Sequence, residues 1–273
     1  MWFAPLGLLA IFIQYSSTTT IQIDKIELSL DNYETRNYNT SGVRIVGGKP
    51  INIRQAPWQV AVFRNGYFIC GGSIISRDWI LTAGHCVASG GEFAIRAASP
   101  FYDRDGQYRV AQIVVLNAEF NLNTFTSDIA MIRVRNSLKI TQYARPISLA
   151  KRGRSLPQRL FISGWGSLEY DGPVVNRLRG VTLSRYNRSQ CIRKYFEAGL
   201  LITNTMFCAG HSGRDVCQGD SGGPLVRDGI QYGIVSIGIR CSQQPSIFTN
   251  VRVMNQWIRQ CVNRWGGDMP TFR

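Results

Sequence analysis

The chain predicts an all-β fold with a single helix at its C-terminal end. Apolar residues recur in short strand-like runs, such as Trp58-Gln59-Val60-Ala61-Val62-Phe63 and Gln112-Ile113-Val114-Val115-Leu116. Clusters of Gly with Asn or Asp separate these runs and read as turns. Only the stretch from Val253 to Arg264 carries convincing helical spacing. With the first 44 residues set aside, 229 of the 273 remain, the size of one β domain with two lobes. No tandem repeat and no long low-complexity stretch interrupts them.

At the start, Leu6-Gly7-Leu8-Leu9-Ala10-Ile11-Phe12-Ile13 form a short apolar core followed by a Ser/Thr-rich stretch, Ser16 to Thr20. A membrane span needs about 20 apolar residues, so this core reads as a secretory signal peptide, residues 1–20, with an uncleaved anchor as the alternative. Charges interrupt every later apolar run, so no other span is expected. Residues 21–44 are polar, carry Asp24, Glu27, Asp31 and Glu34, and hold no cysteine. They read as a flexible propeptide, and a disulfide-knotted regulatory domain there is excluded. Residues 45–273 are expected to form the working domain.

Three short segments bear chemistry. In Asp215-Val216-Cys217-Gln218-Gly219-Asp220-Ser221-Gly222-Gly223-Pro224-Leu225 a serine stands in a Gly-rich turn. Small neighbours there let backbone approach a substrate, and the N–H groups of Gly219 and Ser221 could aim at one point. Taken alone, such a turn is common on any surface. In Leu81-Thr82-Ala83-Gly84-His85-Cys86 one of only two histidines follows the apolar run Trp79-Ile80-Leu81 and precedes a cysteine. The other, His211, lies in the polar loop Gly210-His211-Ser212-Gly213 and reads as a surface residue. In Ser127-Asp128-Ile129-Ala130-Met131-Ile132 a carboxylate opens an apolar run, which suits either a partly buried acid that needs a partner or a strand cap.

In the order His85, Asp128, Ser221 these segments resemble the chymotrypsin-like (trypsin-type) serine endopeptidases. The resemblance extends from Arg44-Ile45-Val46-Gly47-Gly48 to Val253-Met254-Asn255-Gln256-Trp257-Ile258. It takes in Trp58-Gln59-Val60, Cys70-Gly71-Gly72-Ser73, Gly164-Trp165-Gly166 and Met206-Phe207-Cys208-Ala209-Gly210. It implies two six-stranded Greek-key β-barrels with the active site between them, His85 and Asp128 coming from the first and Ser221 from the second. It also implies an acyl-enzyme route: Ser221 attacks, His85 moves the proton, Asp128 orients the imidazole, and Gly219 and Ser221 form the oxyanion hole. Ser236 matches a family position beside the buried aspartate, next to backbone that pairs with substrate as an added strand.

By the same resemblance Asp215 forms the floor of the primary specificity pocket, where a carboxylate suits Arg or Lys. Two departures stand out. Ser246 occupies a pocket-wall position that is glycine in most trypsins, so its hydroxymethyl group should narrow the cavity or touch Asp215. Ile237, beside Gly238, stands where tryptophan is most frequent, which should change the apolar shelf for the preceding substrate residue. Cleavage after Arg44 is expected to free an α-ammonium on Ile45 that inserts and pairs with Asp220, a credible switch for ordering pocket and oxyanion hole.

Family analogy pairs six of the seven cysteines as Cys70–Cys86, Cys191–Cys208 and Cys217–Cys241, staples that fit export. Cys261 is left over, expected as a buried free thiol, with an intermolecular bond as the sharper alternative. No metal or cofactor is called for: Arg96-Ala97-Ala98-Ser99 stands near the expected first calcium ligand, and Asp103 and Asp105 lie among arginines. Asn39-Thr40-Ser41 and Asn187-Arg188-Ser189 fit the glycosylation pattern.

The whole chain carries 31 basic and 17 acidic side chains; the first 44 residues hold three and four of these, so the remainder stands at +15. A cluster at Lys151-Arg152-Gly153-Arg154 adds to a field that should draw acidic proteins or inhibitors, sulfated glycans and anionic surfaces. A generally basic soluble surface is the plainer account. Specific nucleic-acid recognition has no motif. The expected partners are protein or peptide substrates, an activating trypsin-like protease and protein inhibitors, and a secreted monomer is expected. Two alternatives remain open: a catalytically impaired homologue that acts as a binding protein, and a protease whose preference Ser246 has turned away from long cations.

Overall fold

The computed structural model describes residues 48–210, 215–238 and 244–273. The expected signal peptide and propeptide, Arg44, Ile45, His211 and Cys241 lie outside them. The described residues fold as strands and two short helices, and no helix among them is long and apolar enough to cross a membrane.

After a short β1 (Lys49–Pro50), the strands β2 (Gln59–Arg64), β3 (Tyr67–Ile74), β4 (Trp79–Thr82), β5 (Phe93–Ala97), β6 (Gln107–Leu116) and β7 (Ala130–Val134) follow in sequence. β2 to β7 close into a barrel in the order β2-β3-β4-β7-β6-β5. Asn65 and Gly66, both at positive φ (50° and 83°), join β2 to β3. Such two-residue turns twist in the sense that the flanking strands need.

The second half holds β8 (Ser148–Leu149), β9 (Arg159–Gly164), β10 (Arg179–Ser184), β11 (Met206–Ala209), β12 (Pro224–Arg227), β13 (Ile230–Ile237) and β14 (Ser246–Asn250). They form an eight-stranded sheet, β1-β10-β9-β12-β13-β14-β11, with β8 on β13. Its far edges meet: Arg185 bridges Ala209, and Tyr186 N donates to Cys208 O at 2.9 Å. With that closure, β9 to β14 take the same circular order as β2 to β7. The topology repeats although the sequence shows no repeat. The second ring is sealed by a bridge rather than a full ladder, and β1 and β8 add to its six strands.

β2 departs from simple alternation, because five of its six residues are buried. Val60 and Val62 face the first barrel's core, while Ala61 and Phe63 pack with Trp165 and Leu178 of the second half. Both faces are therefore covered. Two buried side-chain bonds also cross between the halves, Ser163 Oγ to Gln59 Oε1 and Ser73 Oγ to Gln231 Oε1, each 2.7 Å. They tie one barrel to the other, since a buried carboxamide oxygen left without its donor would cost desolvation.

The C-terminal helix, α2 (Asn255–Trp265), forms where the spacing predicts, after a 3-10 turn at Val251–Val253. Ile258, Cys261 and Val262 are its buried stripe and join the first barrel's core. Cys261 is free and buried, and burial pushes its thiol up to about 12. A second helix, α1 (Arg188–Glu197), was not expected. Only Cys191 and Tyr195 of it are buried, too short a stripe to show as periodicity. Asn187 caps it by accepting from Ser189 N and Gln190 N.

Candidate active site

His85 follows β4 in a loop stapled to β3 by the Cys70–Cys86 disulfide (S–S 2.02 Å). Asp128 lies just before β7 and has no exposed surface. Its Oδ1 accepts from His85 N and its Oδ2 lies against His85 Nδ1, both at 2.8 Å. From the other half, Ser236 Oγ donates to Oδ2 at 2.5 Å, and Thr249 Oγ1 donates to the Asp128 carbonyl at 2.6 Å. Asp128 of the first barrel is thus held by a β13 hydroxyl on its carboxylate and a β14 hydroxyl on its carbonyl. Such an acid, fully buried and satisfied from both sides, fixes one orientation of the imidazole. It is no mere strand cap.

Ser221 sits in a turn clamped between the halves. Gly71 N donates to Ser221 O at 2.7 Å, and Gly222 N donates to Val235 O at 2.9 Å. Gly222 has φ +78°, and a Cβ there would lie 2.3 Å from Thr82 Oγ1. Only glycine fits. Gly219, at φ +93°, precedes the turn, and no hydrogen bond among the described residues uses the N–H of Gly219 or Ser221. His85 and Ser221 line one cleft of about 220 Å3 with Phe125, Val216, Gln218 and Gly238. Among the described residues no hydrogen bond joins His85 Nε2 to Ser221 Oγ, and Nε2 lies 3.7 Å from Cys86 Sγ. The acid–imidazole half of the expected line is therefore made, while the hydroxyl faces the same cleft without closing it. Such contacts often tighten only when substrate binds.

Asp215 is buried, its Oδ1 accepting from Val216 N at 2.9 Å. Ser246 is equally buried, and its Oγ would lie 3.0 Å from a Cβ placed on Gly238. Neither is among the residues that line the cleft. On this side the described lining of the cleft is Val216, Ser236, Ile237 and Gly238. Tyr195 of α1, which motif reading missed, stands behind this wall. Its hydroxyl donates to Pro245 O at 2.6 Å, and burial followed by the nearby Asp215 charge pushes its pKa up. Phe125 was missed too. Its ring meets that of His85 edge-on at 5.9 Å, and nothing in its Asn- and Thr-rich loop marked it.

The Cys191–Cys208 bond ties α1 to β11, and Cys217 is disulfide-bonded, its expected partner Cys241 lying outside the described residues. Cys70, His85 and Cys86 come close enough to suggest a metal, but both sulfurs are in a disulfide and offer no thiolate.

Asp220, beside Ser221, is buried under Gly164 and Gly166. Its Oδ1 accepts from Gly166 N at 2.8 Å and its Oδ2 from Cys217 N at 3.1 Å. Burial pushes its carboxyl up to about 6 from 3.8, against the opposing pull of those two donors. A folded value above the unfolded one means that the folded chain holds the proton longer. Stability from this group is full below pH 4, falls as pH rises towards about 6, and stays lower above, by an order of about 3 kcal/mol. Urea midpoints of the uncleaved chain should show this slope, and Asp220→Asn should remove it. Parallel pH profiles for the two proteins would refute it.

Two barrels of one topology, a buried Asp–His pair and a serine turn facing it define a serine endopeptidase, a hydrolase. The family model for trypsin matches residues 45–258. Trypsin alpha of Drosophila melanogaster is 36% identical over 225 residues, covering 81% of this chain and 88% of that protein. Trypsin delta of the same fly is 36% identical over 220 residues, 79% and 87% of the two chains. A vitellin-degrading protease of Bombyx mori is 34% identical over 224 residues, 79% and 84%. The chain belongs to the trypsin family of serine endopeptidases.

Proposed function

We propose that this protein is secreted as a zymogen, with a signal peptide at 1–20, a propeptide at 21–44 and a protease domain at 45–273. Cleavage after Arg44 frees the Ile45 amine, and a cation offered to the buried Asp220 relieves the desolvation that raises its pKa. In the cleaved enzyme Ser221 Oγ attacks the scissile carbonyl while His85 takes its proton. Asp128 stabilises the imidazolium, and the N–H groups of Gly219 and Ser221 receive the oxyanion. His85 then protonates the leaving amine, and water repeats the attack on the acyl-enzyme to release the acid and restore Ser221. The observation that carries this reading is the 2.8 Å contact between His85 Nδ1 and a fully buried Asp128, at the cleft that holds Ser221.

Asp215 favours cleavage after Arg or Lys. A second reading is favoured by Ser246, a buried hydroxymethyl group that would lie 3.0 Å from a Cβ on Gly238 of the cleft: a preference for shorter side chains. A fluorophosphonate should label the chain only after tryptic processing, and a peptide library should then show Arg or Lys before the cut. Absent labelling would support a binding homologue, and small or aromatic residues at that position would support the second reading.

A further inference from the structure

Three arginines from separate parts of the chain meet around residues 154–156. Arg252, in the turn before α2, donates from Nη1 to Arg154 O at 2.7 Å and from Nε to Asn250 Oδ1 at 3.0 Å. Arg185, just past β10, donates from Nη1 to Leu156 O at 3.0 Å. Arg154 itself donates from Nε to Tyr232 OH at 2.7 Å. Every one of these acceptors is neutral. The four ion pairs among the described residues use Arg77, His85, Arg104 and Arg227, and none reaches this cluster. A guanidinium has five donors, so most of those on the three side chains have no protein acceptor among the described residues.

We infer that Arg154, Arg185 and Arg252, with Lys151 and Arg152 beside them, form a binding site for a sulfated polysaccharide. Anchoring on backbone carbonyls holds the forks in place without neutralising them, which lowers the entropy lost when an oxyanion binds. Burial, and then the like charge of Arg185, push the Arg252 guanidinium below its usual value, a repulsion that a bound anion relieves. Asn255 extends the cluster, accepting from Arg152 N at 2.9 Å and donating to Ala150 O at 3.1 Å, so the 150–152 segment is fixed as well. Among large exposed apolar side chains only Val253 belongs to these segments, whereas recognition of a peptide normally needs apolar anchors. Repeated sulfates on a flexible chain fit a dense set of forks of one sign.

The test uses the full chain carrying Ser221→Ala, so that binding is read independently of proteolysis. Affinity for a heparin oligosaccharide is measured across a salt series for Arg154→Gln/Arg185→Gln/Arg252→Gln. A matched triple of exposed arginines elsewhere, Arg54→Gln/Arg104→Gln/Arg135→Gln, controls for net charge. The cluster triple should lose about tenfold or more in affinity and roughly two to three from the salt slope, with the control losing far less. Equal losses in both triples, or equal binding of the desulfated oligosaccharide, would overturn the proposal. So would tighter binding of an acidic peptide of the same length. Arg185 is exposed, so Arg185→Gln alone should weaken heparin measurably at unchanged Tm, and this decides the matter if the triple folds poorly.

Discussion

Replacing Ser221 with alanine in the cleaved enzyme should lower kcat about 10⁶-fold, and His85→Ala should cost nearly as much. The two losses should not add, because hydroxyl and imidazole act as one unit and removing either stops the same step. A residue of about 10³–10⁴ over water should survive in both, supplied by binding and by the donors at Gly219 and Ser221. Asp128→Asn should fall near 10⁴, because the amide can donate to Nδ1 and so stabilise the wrong tautomer. Ser236 Oγ donates to Asp128 at 2.5 Å and does not line up with any reacting atom, so Ser236→Ala should be far milder. Steady-state kinetics with one chromogenic peptide would measure all four. If Ser221→Ala kept kcat within tenfold of the parent, the proposed nucleophile would be wrong.

The second large effect concerns the pocket. Asp215→Ser should lower kcat/KM for Arg and Lys substrates by about 10³, because a cation would then enter a buried site without its counter-charge. Ser246→Gly should act in the opposite direction. The Ser246 hydroxymethyl group reaches to 3.0 Å from the position of a Gly238 Cβ, and Gly238 lines the cleft. Its removal should open a path to Asp215 and raise kcat/KM for Arg substrates, with most of the gain in KM. An unchanged substrate profile in both variants would mean that Asp215 does not read the substrate. A rise with Ser246→Gly alone, from a parent that prefers small residues, would establish the second reading of the pocket.

Much of this molecule was legible before any coordinates. The motifs around His85, Asp128 and Ser221 named two residues that line the cleft and the buried acid bonded to one of them, since each sits in a short segment whose neighbours also matter: a cysteine beside the histidine, glycines around the serine. The Gly and Asn/Asp clusters that read as turns and the helical spacing from Val253 to Arg264 are equally local. Other features were not readable. α1 buries only Cys191 and Tyr195, so its helix rests on a disulfide to β11 and on the Asn187 cap rather than on a repeating apolar face. Phe125 gains its place from a ring contact with His85 across a loop, and Tyr195 from its hydroxyl's bond to Pro245 O. Neither carries a spacing signal.

The sequence by itself determined the family, the all-β class with its C-terminal helix and the residues proposed to react, because short-range patterns encode each motif and their order from Arg44 to Ile258 is read along the chain. Only the tertiary structure decided that the two halves share one strand order. It also showed that Asp128 of one barrel is held by hydroxyls of the other, that Tyr195 of α1 bonds Pro245 O beside Ser246, and that Arg154, Arg185 and Arg252 meet around residues 154–156. Each of these depends on pairings between residues tens to more than a hundred positions apart. Packing and burial create such pairings, and local composition does not record them.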